Sequence, residues 1–252
     1  MNDSIIYALD FDGVICDSAI ETAITGWKAA ATIWNDMSEV APQSVIEHFR
    51  EVRPIIETGY EAILVIRLLH LGETTESIYG GSYSDKVQML LQQTQLTIDD
   101  LKKIFGETRD RWITADLVDW IAMNPLYPGV AEKLRRLGQR HTWYVITTKQ
   151  ERFVKNILQA NAIELVGERI FGLDRNMSKP EVLNGLRAQH PGLTIHFVED
   201  RLPALQNVQK HPELVDVKLS FALWGYNTAE DKALAAQQGF VAEQLEAFLN
   251  GV

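Results

Sequence analysis

Residues 5–18 read IIYALDFDGVICDS, an unbroken apolar run that ends in three aspartates, Asp10, Asp12 and Asp17. A run without polar alternation suits a strand covered on both faces. Carboxylates beside such a strand are expensive to strip of water, so they need compensation. A cation, a hydrogen-bond network or a reaction that uses them would provide it.

Three further stretches share this β-branched and aromatic texture: residues 142–147 (TWYVIT), 194–199 (TIHFVE) and 217–224 (VKLSFALW). A weaker one lies at 169–172. Helical stretches stand between them, at 129–137, 150–160, 180–188 and 202–210. Strand and helix alternating in this way argue for βαβ units. The expected fold class is therefore α/β, with a Rossmann-like parallel sheet as its core.

Residues 19–124 read differently. Helical spacing runs through 21–34, 44–52, 54–71, 85–93 and 99–123, with no convincing strand among them. The segment 124–129, NPLYPG, carries two prolines and a glycine, strong punctuation for a return to the core. The expected organisation is an α/β core made of residues 1–18 and 125–252, with an all-helical cap inserted at 19–124.

Composition narrows the function classes. Apolar and charged fractions of 46% and 23% are those of an ordinary soluble globular chain. A net charge of −10 opposes nucleic-acid or anionic-membrane partners. The apolar stretch at 63–71 is interrupted by Arg67 and His70 and is far too short to span a bilayer. The single cysteine, Cys16, rules out an intramolecular disulfide and fits a reducing compartment. A strand that opens at Ile5 leaves no room for a signal peptide, so a cytoplasmic protein is expected. Oligomeric state is not legible.

In open parallel sheets, ligands bind at the carboxyl ends of the strands. Asp10 and Asp12 close the first strand, Thr147 the second, and Glu199 and Asp200 the third of the strong strands. Lys179, just before Pro180, opens a helix on the same side. Together these groups complement a phosphoryl centre.

These stretches, DFDGVICDS, then Val145-Ile146-Thr147-Thr148-Lys149, Ser178-Lys179-Pro180 and Val198-Glu199-Asp200, resemble the four motifs of the haloacid dehalogenase (HAD) superfamily. Leu223-Trp224-Gly225-Tyr226 resembles a late strand of its phosphoglycolate-phosphatase-like branch, which also carries a helical cap after the first motif. The resemblance implies an Mg²⁺-dependent phosphatase acting on a small phosphorylated metabolite. Asp10 would be the nucleophile and Asp12 the general acid and base. Thr147 would donate to a phosphoryl oxygen and Lys179 would offset charge. Asp10, the Asp12 backbone carbonyl and Asp200 would hold the metal. Two roles stay open for Glu199: direct ligation, or orientation of the metal's waters. Many relatives have glycine there, and many carry an aspartate where Ala204 stands here.

Thr148, Arg67 and Arg53 are the expected substrate-binding groups. Arg67 is the only formal charge in AILVIRLLHLG and needs an anion: either Glu57 or Glu61 within the cap, or the substrate. Asp17 reads as a helix N-cap or hinge contact, Lys149 as a first-turn surface residue, and Cys16 as small packing. His48, His70 and His196 lack metal-ligand spacing. Trp27 with Trp34, and Trp112 with Trp120, are expected to fill the cap's core. Lys28 is the only lysine available for a Schiff base in the first cap helix, and surface exposure explains it more simply. A phosphomutase and a non-catalytic interaction protein on the same scaffold are the alternatives.

Overall fold

The computed structural model describes residues 5–251; the expected domain limits at residues 1 and 252 lie outside the described residues. The chain divides into two compact units, one ending at Asp17 and resuming at Pro125, the other running from Ser18 to Asn124. Among the described residues, no helix is long and apolar enough to cross a membrane.

The first unit is built on a six-stranded sheet: β1 Ile5–Leu9, β2 Thr142–Ile146, β3 Ile170–Phe171, β4 Thr194–Glu199, β5 Lys218–Ala222 and β6 Val241–Glu243. The order is β3-β2-β1-β4-β5-β6 and every pairing is parallel. Connections run outward from β1 in one direction and from β4 in the other. The crevice for a ligand therefore opens where β1 meets β4, at their carboxyl ends. Register sets what stands there: Leu9 pairs with Val145 on one side and Val198 on the other.

One sheet face is largely apolar. Ile6, Ala8, Phe197 and Phe221 pack under Leu183, Leu186 and Leu205 from the helices Lys179–Gln189 and Leu202–Gln209. Burying each such aromatic or aliphatic side chain stabilises the fold by about 1.5–3 kcal/mol. The opposite face is not uniformly apolar. Tyr7 and His196 lie side by side in the register, and His196 bonds the Ser220 hydroxyl at 2.6 Å. Burial, helped by Lys218 and Lys133, pushes the His196 pKa down to about 4.

The third strand is shorter than residues 169–172 suggest, and β5 ends at Ala222, two residues before the apolar pattern does. The sixth strand, only three residues long with its side chains exposed or half-exposed, has no apolar signature to announce it.

Every regular element of the second unit is a helix: Ala19–Ile33, Gln43–Val52, the short turn Arg53–Ile55, Glu61–His70, Thr75–Tyr79, Tyr83–Thr94, Ile98–Ala115 and Leu117–Ala122. Two stretches read as single helices are broken, each by local chemistry. In 54–71, Pro54 and Gly59 interrupt the pattern, and the Glu61 carboxylate accepts from the amides of Glu57 and Thr58, both at 2.7 Å. In 99–123, Asp116 turns to φ −155° and its side chain accepts from the Asp119 amide, capping a new helix. Trp27 and Trp120 are among the largest fully buried side chains, and Trp112 is buried as well.

A buried ion pair ties this unit together. Arg109 donates to both oxygens of Glu21 at 2.7 and 2.6 Å, and Thr25 and Trp120 donate to the same carboxylate. The Glu21 side chain is fully buried and Arg109 nearly so. The glutamate thus receives four donors and one full positive charge.

Candidate active site

The first strand delivers Asp10 directly to the crevice. Its amide continues the β1–β4 ladder by donating to the Val198 carbonyl at 3.0 Å, so its side chain emerges beside Glu199. The next residues fold into a tight loop, with the Gly13 amide donating to the Cys16 carbonyl and the Cys16 amide to that of Phe11. Trp224 fastens the loop by donating to the Val14 carbonyl at 3.1 Å.

Two glycines make room for Asp200. Gly13 has a φ of +94°, and a Cβ there would stand 2.1 Å from Asp200 Oδ2. A Cβ on Gly225 would stand 2.3 Å from the Asp200 Cβ and 2.4 Å from the Gly13 carbonyl oxygen. No other residue type fits either position. The Tyr226 amide then donates to Asp200 Oδ2 at 2.6 Å, which orients the carboxylate.

Lys179 is brought in by its helix. Ser178 and Glu181 form a reciprocal capping box and Pro180 occupies the first turn, so the helix begins at the lysine. Its ammonium donates to Asp10 Oδ1 at 2.7 Å and to Glu199 Oε2 at 2.5 Å. Burial opposes the charge of Lys179, but Asp10 and Glu199 outweigh it and hold the lysine protonated above its usual range. Asp10 shifts upward as well, but for an acid this disfavours the charged form. Burial raises its pKa to about 7 against the pull of Lys179, and Glu199 and Asp12 push in the same direction as burial.

Thr147 follows β2, its amide bonded to the Phe171 carbonyl at 2.9 Å. Its hydroxyl oxygen accepts from the Lys149 amide at 3.1 Å, leaving the proton to donate elsewhere. Thr148, next to it, is exposed.

Lys149 corrects the sequence reading. It is not a surface residue: its side chain is 1% exposed, and its ammonium bonds Asp12 Oδ1 at 3.0 Å. A lone lysine in a loop carries no periodicity that would betray burial. Asp17 is likewise not the helix N-cap; that position belongs to Ser18, while Asp17 Oδ1 accepts from the Tyr226 hydroxyl at 2.9 Å.

Asp10, Asp12, Thr147, Lys179, Glu199 and Asp200 therefore belong to one rim of one unit. Arg53 and Arg67 belong to the helical unit. Arg67 bonds both oxygens of Asp36 at 2.8 Å and lies over the Trp34 ring, so its partner is neither Glu57 nor Glu61. Glu61 is already occupied by backbone amides. Buried Arg53 donates to the Ile56 carbonyl at 2.9 Å and shapes its own turn.

Oxygen atoms of buried Asp10, Glu199 and Asp200 lie within 4.8 Å of one another. At this rim four carboxylates, with Asp12, face two ammonium groups, Lys149 and Lys179. The excess of two negative charges and the all-oxygen donor set fit a hard divalent cation.

No family model matches the sequence, and no curated protein does either. Solved structures do match over nearly the whole chain. A predicted phosphoglycolate phosphatase from Haemophilus somnus 129PT is 18% identical, with a TM-score of 0.60 over 99% of this chain and 97% of that one. A predicted phosphatase from Clostridium acetobutylicum is 14% identical, with a TM-score of 0.58 over 98% and 96%. A haloacid dehalogenase-like hydrolase from Streptococcus pneumoniae is 15% identical, with a TM-score of 0.55 over 96% and 95%.

Proposed function

We propose that this chain, which has the haloacid dehalogenase-like fold, is a phosphatase that hydrolyses a small phosphorylated metabolite. The observation that carries the reading is the rim itself: a nucleophile-grade carboxylate, Asp10, fixed 2.7 Å from a half-buried lysine and beside two further carboxylates. Such a surplus of negative charge repels a phosphate unless a cation is added, so the site implies one. Asp10, Asp200 and the Asp12 backbone carbonyl would hold Mg²⁺, with Glu199 beside them. When bound, the cation would neutralise the surplus charge and polarise the phosphoryl oxygens.

In this reading an Asp10 oxygen attacks phosphorus, and the bond from phosphorus to the leaving oxygen breaks. Asp12 gives its proton to that oxygen. It then takes a proton from the water that attacks phosphorus, releasing phosphate and restoring Asp10. The Thr147 hydroxyl and the Lys179 ammonium hold the phosphoryl oxygens as charge develops. Thr148, which is exposed beside Thr147, is proposed to contact the substrate, and Arg53 and Arg67 to recognise its remainder. For Arg67 this requires sharing or leaving Asp36.

The test is a panel of phosphorylated metabolites assayed with Mg²⁺ for released inorganic phosphate, run on wild type and on Asp10→Asn. Release by wild type alone supports the reading. Release by both proteins, or by neither across the panel, overturns it. An isomerised product with little free phosphate would make the protein a phosphomutase.

A further inference from the structure

We infer that Lys149 is a positioning residue for Asp12: it holds the proton-transferring carboxylate in place, while Lys179 serves the nucleophile. The inference rests on the reading of Asp12 as general acid and base.

The two lysines divide the carboxylates between them. Lys179 donates to Asp10 and Glu199, and Lys149 donates to Asp12. Their origins differ. Lys179 is placed by a helix N-terminus, whereas Lys149 lies in the loop after β2. That loop is nevertheless stiff at the lysine. Its amide donates to the Thr147 hydroxyl oxygen at 3.1 Å, and its carbonyl accepts from the Leu173 amide at 3.0 Å. A Cβ on Gly172 would stand 2.7 Å from the same carbonyl oxygen, so glycine there lets the strand end close against it. The main chain of Lys149 is thus pinned on both sides, and its side chain is enclosed.

Asp12 needs such an anchor. It lies in a loop, two residues beyond the nucleophile, with its side chain 17% exposed. A carboxylate with rotational freedom spends little time aimed at a leaving oxygen, and proton transfer demands hydrogen-bond geometry. A charge-assisted bond from a buried, pinned ammonium supplies the constraint.

The experiment compares wild type, Lys149→Met, Lys149→Arg, Asp12→Asn and the Asp12→Asn/Lys149→Met double variant, with Mg²⁺ present. Substrates are p-nitrophenyl phosphate, whose leaving group needs no proton, and an alkyl phosphate, whose leaving group does. Thermal melts check that each variant is folded. Lys149→Met is expected to lower kcat/KM, which reports the steps up to phosphoenzyme formation, on the alkyl phosphate by about 10- to 100-fold and on p-nitrophenyl phosphate by at most a few-fold. Lys149→Arg should recover part of the loss. In the Asp12→Asn background, adding Lys149→Met should cost nothing further, because a residue acting through another is silent once that other is gone. Equal loss on both substrates, a higher KM without a change in kcat, or a further loss in the double variant would overturn the inference. If Lys149→Met does not fold, Lys149→Gln, alone and with Asp12→Asn, carries the same comparison. Should Asp12→Asn itself ignore the leaving group, it is the acid–base reading that fails, not the contact with Lys149.

Discussion

Two places in this molecule bury charge, and they do so on opposite terms. In the helical unit, the Glu21 carboxylate is matched by the Arg109 guanidinium, with Lys28 also near enough to feel its charge, and Thr25 and Trp120 donate to the same carboxylate. At the sheet's rim, four carboxylates share two lysines and the sum stays negative. A balanced, saturated pair has nothing left to offer a ligand; its role is to fix which helices meet. An unbalanced cluster is a standing cost to the fold, and Asp10, pushed up to about 7 mainly by burial, shows where that cost falls. Both places are buried; what differs between them is the balance of charge.

The sharpest way to break this contrast is to remove one charge from each place. Asp10→Asn should abolish phosphate release, by three orders of magnitude or more, yet leave thermal stability equal to wild type or higher, since it relieves crowding. A clear fall in melting temperature would mean that the rim is built for stability.

Arg109→Met should do the converse. Stranding Glu21 as a buried carboxylate without its cation should cost roughly 3–5 kcal/mol of stability, read from denaturant unfolding. A loss below about 1 kcal/mol would mean that water or another cation replaces the arginine.

A third buried polar group sharpens the rule, because it stays neutral. His196 has a folded pKa of about 4 against its ordinary 6.5. A depressed histidine pKa means that the unfolded chain takes up the proton first. Its contribution is therefore fully present above pH 6.5 and is lost as pH falls toward 4. The full swing is roughly 3 kcal/mol on the scale of 1.36 kcal/mol per pKa unit. His196→Gln should be less stable than wild type at pH 7, with the gap shrinking by pH 4.5. A gap independent of pH would show that His196 is not kept neutral by the fold.

The smallest expected effect distinguishes two members of the rim. Asp200→Asn should weaken Mg²⁺ binding by about 10- to 100-fold, and Glu199→Gln by less, because Lys179 and the Arg201 amide already engage Glu199. Calorimetric titration with the reverse order would assign the metal chiefly to Glu199.

Much of the rim was legible in the chain, because it is anchored to backbone. Strand ends can be read from where an apolar run stops, and a parallel sheet brings strand ends together whatever their separation in sequence. Asp10, Thr147, Glu199 and Asp200 were placed by that logic alone, and Lys179 by the serine and proline around a helix start. The sixth strand escaped because its three residues are not buried and carry no pattern. The helices at 54–71 and 99–123 were drawn too long because Glu61 and Asp116 cap through contacts that compete with continued helix, and spacing does not reveal which will win.

What the sequence by itself determined is the sheet, its helical insertion and the residues that end its strands, all consequences of apolar periodicity and local caps. What only the tertiary structure decided is the pairing of charges: Lys179 with Asp10 across 169 residues, Lys149 with Asp12 across 137, and Arg109 with Glu21 across 88. Opposite charges attract without regard to order in the chain. Which of many lysines or arginines meets a given carboxylate is therefore set by where the backbone delivers each side chain and how much water it excludes, and neither is written in the spacing of residues.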